Sequence, residues 1–462
     1  MGRHRPSPPT LAALILFAVA FGVRVVWVSF VDSPFDNIFS DMAGYVNRAL
    51  MLVYGVSDPL PVFASQHAPD PHAVAAAAAG VDPWTIQCAY YPPGAHLLLA
   101  AEMKLVGWSH HAAMAALNCV WGALVAPCAM LMALRVVPRL RVAVAVGLVV
   151  ALWYPLLAFS SFFSSEQPYA GALALSTWLL VRLVERGKSA VALGLAASVA
   201  YLVRPQIIAT LGALTLVGVF VLLRPSRRGP RLRLGPIMLA GTIFTATVAW
   251  GAVRYHGLSG RWGLISDNGA MGRLGADTSY SKVRATWKAP DGAEMSFQFE
   301  SPPKAEMGQH RELVFDGYIG DPVTLDRARR NEVHYMSTGE RLARWANNVR
   351  PLFVDGSLWP VSSGSGWRRA CYSASQVALM GVLCPLALLG MISGLRKRAL
   401  VPLLCTAQVL TVLLIAAFFC GEQRYRMPYD VFLVILALEG VRASVSFVRA
   451  ALGRAASLAS YR

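Results

Sequence analysis

Long apolar runs alternate with polar stretches along almost the whole chain. The runs lie near 11–31, 112–134, 142–160, 168–184, 189–203, 206–223, 235–255, 371–393, 399–420 and 428–447. Most approach the roughly 20 residues that a helix needs to cross a bilayer. Residues 142–158 and 206–223 contain no charged side chain. The pattern predicts an all-α integral membrane protein with about ten transmembrane helices. The segment 94–108 is apolar but short and carries Glu102 and Lys104, which predicts a helix lying on the membrane surface. Two polar segments remain, from Asp32 to about His111 and from about His256 to Arg369. Within the second, Val323–Arg350 has helical apolar spacing and predicts an amphipathic surface helix. The expected division is therefore 1–255, an N-terminal transmembrane module with a first external loop over 32–111; 256–370, an external segment; and 371–462, C-terminal helices with a basic tail.

Composition agrees with this pattern. Of 462 residues, 56% are hydrophobic and 15% charged, against roughly 25% charged in ordinary soluble domains. The first run follows Arg3 and Arg5 but is long and carries Arg24, so it reads as a retained helix rather than a cleaved signal. Basic residues then set the orientation. The N-terminus, 135–141, 182–188, 224–234, 396–398 and the tail from 442 hold nearly half of the 42 Lys and Arg, so the whole formal net charge of +17 falls on that side. That side is the expected cytoplasmic face, with both termini on it. The charge thus reports topology and calls for no nucleic-acid partner. The seven cysteines show neither metal spacing nor a disulfide framework. The chain has no Asn-x-Ser/Thr sequon and is rich in Ala, Val, Gly and Arg, which points to a bacterial inner membrane with the large loops facing the periplasm.

With this topology, Asp36, Asp41, Tyr45, Glu166, Arg204, Asp267, Asn268, Glu422, Arg424 and Arg426 all reach the external face, although they are far apart in sequence. Ionisable residues at helix ends or within spans are functional candidates, and their convergence on one face predicts one site.

The motifs around them resemble the glycosyltransferase-C superfamily, in particular its bacterial aminoarabinose-transferase and protein O-mannosyltransferase branch. An acid soon after the first span is matched by Asp41 in FSDMAGYVNRAL, four residues before Tyr45. A Tyr-x-Pro-Pro element opening a surface helix is matched at Tyr90-Tyr91-Pro92-Pro93-Gly94, a Ser-Glu pair at Ser165-Glu166, and an Arg-Pro pair at Arg204-Pro205. Ser266-Asp267-Asn268-Gly269 opens the large loop, and Glu422-Gln423-Arg424-Tyr425-Arg426-Met427-Pro428 precedes the final span. The motifs run in order through most of the chain. Two features depart from the family: Met42 stands where many members carry a second acid, and extra C-terminal spans or a soluble domain are missing.

The resemblance implies transfer of a monosaccharide from a polyprenyl-phosphate donor to an acceptor hydroxyl, on a lipid, glycan or protein, with inversion. Asp41 would be the general base. Arg204, Arg424 and Arg426 would hold the donor phosphate, since a guanidinium fork matches phosphate oxygens. Glu166, Tyr45, Tyr91, Asn268 and Glu422 would support them. No cofactor is expected, because arginines can neutralise a monophosphate leaving group without a metal ion; a divalent metal is the alternative.

Plainer roles stand beside these. Ser40-Asp41 suits a helix cap, Arg204 and Lys104 suit interfacial snorkelling, Arg424 and Arg426 suit lipid headgroups or a pair with Glu422, and Glu166 suits the start of a helix. His67 and His72 could ligate a metal but lack a clear third ligand. Two other function classes remain: a ligase moving a whole glycan from a polyprenyl diphosphate, and a transporter or flippase. A transporter predicts paired broken helices and polar residues near the midplane, and the chain shows no internal repeat of that kind.

Overall fold

The computed structural model describes residues 7–55, 89–222, 234–288, 294–300, 304–305, 307–308, 310–316, 321–354, 358, 366–419 and 421–460. Cys88, His67, His72 and nearly all of the basic segment 224–234 lie outside the described residues.

Over its described residues each predicted apolar run is helical, the run 142–160 with a break after Ala151. Helix α1 (Pro8–Phe30) begins with prolines in its first turn, where a missing N–H costs nothing. Then come α2 (Ser40–Tyr54), α3 (Gly94–Val106), α4 (His111–Val136), α5 (Leu140–Ala151) and α6 (Tyr154–Ala158), which runs on into a 3-10 turn at Phe159–Ser161. They are followed by α7 (Glu166–Arg186), α8 (Ala190–Val203), α9 (Ile207–Leu222), α10 (Leu234–Ser259) and α11 (Asn268–Asp277). Among the described residues, six helical stretches are long and apolar enough to cross a membrane, or seven if the α5–α6 pair, bent by 52°, is one span. Three further predicted runs fold as α7, α8 and α9, of 21, 14 and 16 residues.

Small residues set how closely these helices pack. A Cβ on Gly171 of α7 would collide with the Trp121 carbonyl of α4. Such close backbone approach is the usual role of small residues between membrane helices. Around α4, α7 and the C-terminal helices the buried core is continuous, from Ala123, Ala126 and Met130 to Leu173, Val409 and Phe432.

The polar segment after α10 corrects the all-α expectation. It carries a three-stranded sheet of β1 (Tyr280–Lys288), β2 (Glu294–Glu300) and β3 (Arg311–Asp316), in the order β2-β1-β3. The β1–β2 pairing is antiparallel and β1–β3 is parallel. Strand β1 turns Val283 and Ala285 inward, onto Met271 and Leu274 of α11 and onto Leu325. A strand buries alternate residues, and Ser281–Thr286 alternates in that way.

The expected helix over 323–350 is two helices, α12 (Pro322–His334) and α13 (Thr338–Val349). Ser337 and Glu340 form a reciprocal capping box that starts α13, satisfying amide donors that a continuous helix would have bonded internally. Asn348, near the end of α13, donates to the carbonyl oxygens of Ala276 (2.8 Å) and Ala417 (3.2 Å). It thereby ties this polar segment to the end of the helix that carries Ala417.

The chain ends with α14 (Trp367–Ala378), which continues through a π turn into α15 (Cys384–Lys397), then α16 (Leu400–Phe419), α17 (Gln423–Arg426) and α18 (Asp430–Ser460). Gly390 of α15 and Gly440 of α18 each face the other helix's backbone, so that a Cβ on either would overlap a carbonyl oxygen.

Candidate active site

Three loop-to-helix junctions build the site. Asp41 is in the first turn of α2, and Tyr45 and Arg48 follow on the same face at helical spacing. Tyr91 lies just before α3. Gly94 opens α3, and a Cβ there would strike the backbone of Leu202 and Val203. Only glycine permits that approach, and it brings Tyr91 beside the end of α8, where Arg204 begins. Gly421 plays a similar part: a Cβ would meet the carbonyl oxygen of Asn348, so the start of α17, with Glu422 and Arg424, sits tightly against α13.

These junctions surround a cavity of about 480 Å³ with an uneven lining. Asp41, Tyr45, Tyr91, Arg204, Asn268, Glu422, Arg424 and Tyr425 contribute its polar wall. Ile208, Ala209, Ile415 and Phe419 from α9 and α16 make an apolar wall. Helix α11 and strand β1 supply Met271, Leu274, Tyr280, Ser281 and Val283.

Within the polar wall, Tyr91 donates from its hydroxyl to Asp41 Oδ1 at 2.7 Å, and Arg424 Nη1 reaches Asp41 Oδ2 at 3.3 Å. Arg424 Nε also lies 2.5 Å from Glu422 Oε2. Arg204 forms an ion pair with Glu166 and donates through Nε to Ser165 Oγ at 2.9 Å. The Tyr425 ring is shared by both cations, with the Arg204 guanidinium 5.5 Å and the Arg424 guanidinium 5.1 Å from its centroid. Burial alone would lower the Arg204 pKa, but the facing Glu166 carboxylate, helped by Tyr45 and Tyr425 and opposed by Arg424, turns the net direction upward. The Tyr45 phenol is pushed up to about 12 by burial and by nearby Asp41, so it acts as a neutral hydrogen-bonding group. Arg48, fully buried, stacks on the Tyr91 ring at 4.5 Å and contributes a cation behind the Asp41–Tyr91 pair.

Most of the expected residues meet here. Asp41, Tyr45, Tyr91, Arg204, Asn268, Glu422 and Arg424 line the cavity, and Glu166 stands behind Arg204. Three others do not join them. Asp36 is exposed and outside the lining. Asp267 accepts a hydrogen bond from Tyr255, and burial raises its pKa. Arg426 departs most clearly from the expected phosphate contact. Its guanidinium is 1% exposed and its Nε lies 3.0 Å from Asp430 Oδ1, one helical turn on. Trp153 Nε1, in the break between α5 and α6, donates to the same carboxylate at 2.8 Å.

Arg48 stacks on Tyr91, and Tyr425 lies between the two arginines; neither was picked out from the motifs. Arg48 was legible as the next residue on the Asp41–Tyr45 face. Tyr425 lay in plain view between Arg424 and Arg426, without a signal for which way it turns. Among the described residues, no group of three or more His, Cys, Asp or Glu is arranged to hold a metal ion.

No protein-family model matches the chain, and no curated protein sequence matches it. Among solved structures, the chain is similar to the apo form of the Archaeoglobus fulgidus oligosaccharyltransferase, with a TM-score of 0.44 and 13% identity, over 99% of this chain and 53% of that one. It is also similar to the archaeal oligosaccharyltransferase AglB from Archaeoglobus fulgidus in complex with an inhibitory peptide and a dolichol-phosphate, with a TM-score of 0.40 and 13% identity, over 97% of this chain and 52% of that one. The chain spans about half the length of these two proteins.

Proposed function

We propose that the chain is a membrane glycosyltransferase. It moves a monosaccharide from a polyprenyl-phosphate donor to an acceptor hydroxyl, with inversion at the anomeric carbon. The observation that carries this reading is one cavity holding two carboxylates, Asp41 and Glu422, and two arginines, Arg204 and Arg424, against an apolar wall from α9 and α16. An amphipathic donor needs that pairing: its phosphate requires fixed cations and its prenyl tail requires an apolar exit.

The chemistry follows from the residues. The acceptor oxygen attacks the anomeric carbon while Asp41 takes its proton. The bond from that carbon to the phosphate oxygen breaks, and its electron pair leaves with the lipid phosphate. Arg204 and Arg424 stabilise the charge that grows there. Glu166 and Glu422 hold the two guanidinium groups in place before substrate arrives, which lowers the reorganisation needed at reaction. Tyr91 fixes one Asp41 oxygen and leaves the carboxylate oriented. Arginine supplies the positive charge in this scheme, so transfer is expected to persist in EDTA.

In this reading the chain has ten spans with both termini cytoplasmic, and the cavity opens at the periplasmic face of a bacterial inner membrane. Support comes from the distribution of Lys and Arg, which leaves the cavity's loops on the less basic side. The acceptor is a lipid, glycan or protein hydroxyl.

The test is transfer of label from radiolabelled polyprenyl-phosphate sugars to extracted envelope acceptors, using purified wild type and Asp41→Asn in parallel. Label moved by wild type and lost in the variant supports both the reaction class and the base. Label moved equally by both removes Asp41 from the chemistry. Transfer from polyprenyl-diphosphate glycans alone replaces this reaction with a ligase.

A further inference from the structure

One guanidinium in the cavity serves two carboxylates, and it serves them unequally. Arg424 is held at 2.5 Å by Glu422, whose side chain is only 12% exposed. Its contact with Asp41 is longer, 3.3 Å, and Asp41 is 32% exposed. A carboxylate oxygen facing a guanidinium is a weaker base than the same oxygen facing an acceptor hydroxyl, because the cation stabilises its charged form. Asp41 also takes the Tyr91 hydrogen bond, on the opposite oxygen.

Resting on the proposed glycosyl transfer, we propose that Arg424 passes from Asp41 to the donor phosphate when the donor binds. Asp41 thereby becomes available as the base only once the donor is in place. The longer and more exposed contact yields, while Glu422 keeps the guanidinium in the cavity. No covalent bond changes in this step. Arg424 stays protonated, Asp41 stays ionised, and one ion pair is exchanged for another. Tyr91 keeps Oδ1, so the Oδ2 side turns to the acceptor. Donor-before-acceptor order follows, since the acceptor's proton has no competent recipient until the exchange has occurred.

The exchange makes Asp41 a competitor of the phosphate, which has a consequence that needs no turnover to read. Removing the competing charge should improve binding of the lipid phosphate while abolishing transfer. The experiment measures binding of polyprenyl phosphate, in detergent, to the full-length purified chain for wild type, D41N, R424Q and the double variant. D41N is expected to bind about tenfold tighter and R424Q about tenfold weaker. In the R424Q background, D41N should change affinity by less than about twofold, because the shared group is gone. Should R424Q fail to give monodisperse protein, R424K replaces it, since lysine has no fork to span both partners and the D41N gain must shrink there too.

D41N binding no tighter than wild type overturns the exchange. An equal gain from D41N in both backgrounds also overturns it, since plain repulsion between Asp41 and phosphate would then explain the gain without Arg424. Wild type that fails to bind polyprenyl phosphate at all sinks the donor assignment itself, a different result from either.

Discussion

Arg424 and Arg426 are two residues apart and enter two regions with opposite properties. Arg424 faces the cavity, contacts Asp41 and Glu422, and sits beside the open apolar wall. Arg426 faces inward, into a closed knot with Asp430 and Trp153. Both are arginine–carboxylate arrangements, so residue type does not separate them. What differs is access and the number of claims on the guanidinium. A cation shared by several carboxylates at a cavity wall can exchange partners. A cation with a dedicated partner and no exposure cannot, and its removal strands a buried charge. The knot instead positions its neighbours. Trp153 and Asp430 pin the bend between α5 and α6 to the start of α18, shortly after α17, which carries Arg424.

Substitutions at each region sharpen that contrast. The largest effect is expected from Asp41→Asn, which should lower transfer by about 10²–10⁴-fold, the usual worth of a positioned proton acceptor, while leaving the thermal midpoint close to wild type. Transfer assays and thermal denaturation on the same preparation check both halves. Arg426→Met should do the reverse. It leaves Asp430 buried without its cation and should cost about 3–5 kcal/mol of stability, seen as a lower melting midpoint, with any surviving folded protein still binding polyprenyl phosphate. A melting midpoint unchanged in Arg426→Met would erase the distinction between knot and cavity.

Gly94→Ala probes the junction that brings Tyr91 to the site. Its Cβ would overlap the backbone at Leu202 and Val203, so Tyr91 should shift relative to Asp41 and transfer should fall by about 10²-fold, as a misplacement on the order of 1 Å does. Retained full activity would show that the close approach is incidental.

A last effect, read through pH, concerns Glu102, a buried acid on α3 outside both regions. Burial pushes its carboxyl up to about 8 from 4.5. The folded chain therefore holds a proton there that the unfolded chain releases near pH 4.5. Stability from this group is lost as pH rises from about 4.5 to about 8. Glu102→Gln should raise the melting midpoint at pH 8 and have little effect near pH 4.5, a difference that melting curves across that range will detect.

Much of the scaffold was legible in one dimension. The ten apolar runs are helical over their described residues, and Asp41, Tyr91, Arg204, Asn268, Glu422 and Arg424, picked from motif order, do line one cavity. The polar segment after α10 was less legible for two local reasons. Lys282–Lys288 alternates at the period of a strand, but its charges and short length resemble any polar loop until α11 covers one face. The break at Ser337 was written in the sequence as a Ser-x-x-Glu capping box, yet the apolar spacing on either side stays in phase and reads as one helix.

Apolar runs and basic segments determine by themselves that this chain is a helical membrane protein, because a run of apolar side chains has few other places to go and each backbone amide must find its bond within the segment. Which arginine meets the cavity is a different kind of fact. Successive residues on a helix point about 100° apart, so Arg424, Tyr425 and Arg426 must face different ways, and the rotation of that short helix is set from outside it. Gly421 against Asn348, Trp153 on Asp430, and the Tyr169–Tyr429 hydroxyl contact at 2.7 Å set that rotation. Their partners come from separate parts of the chain, and only the packed structure brings them together.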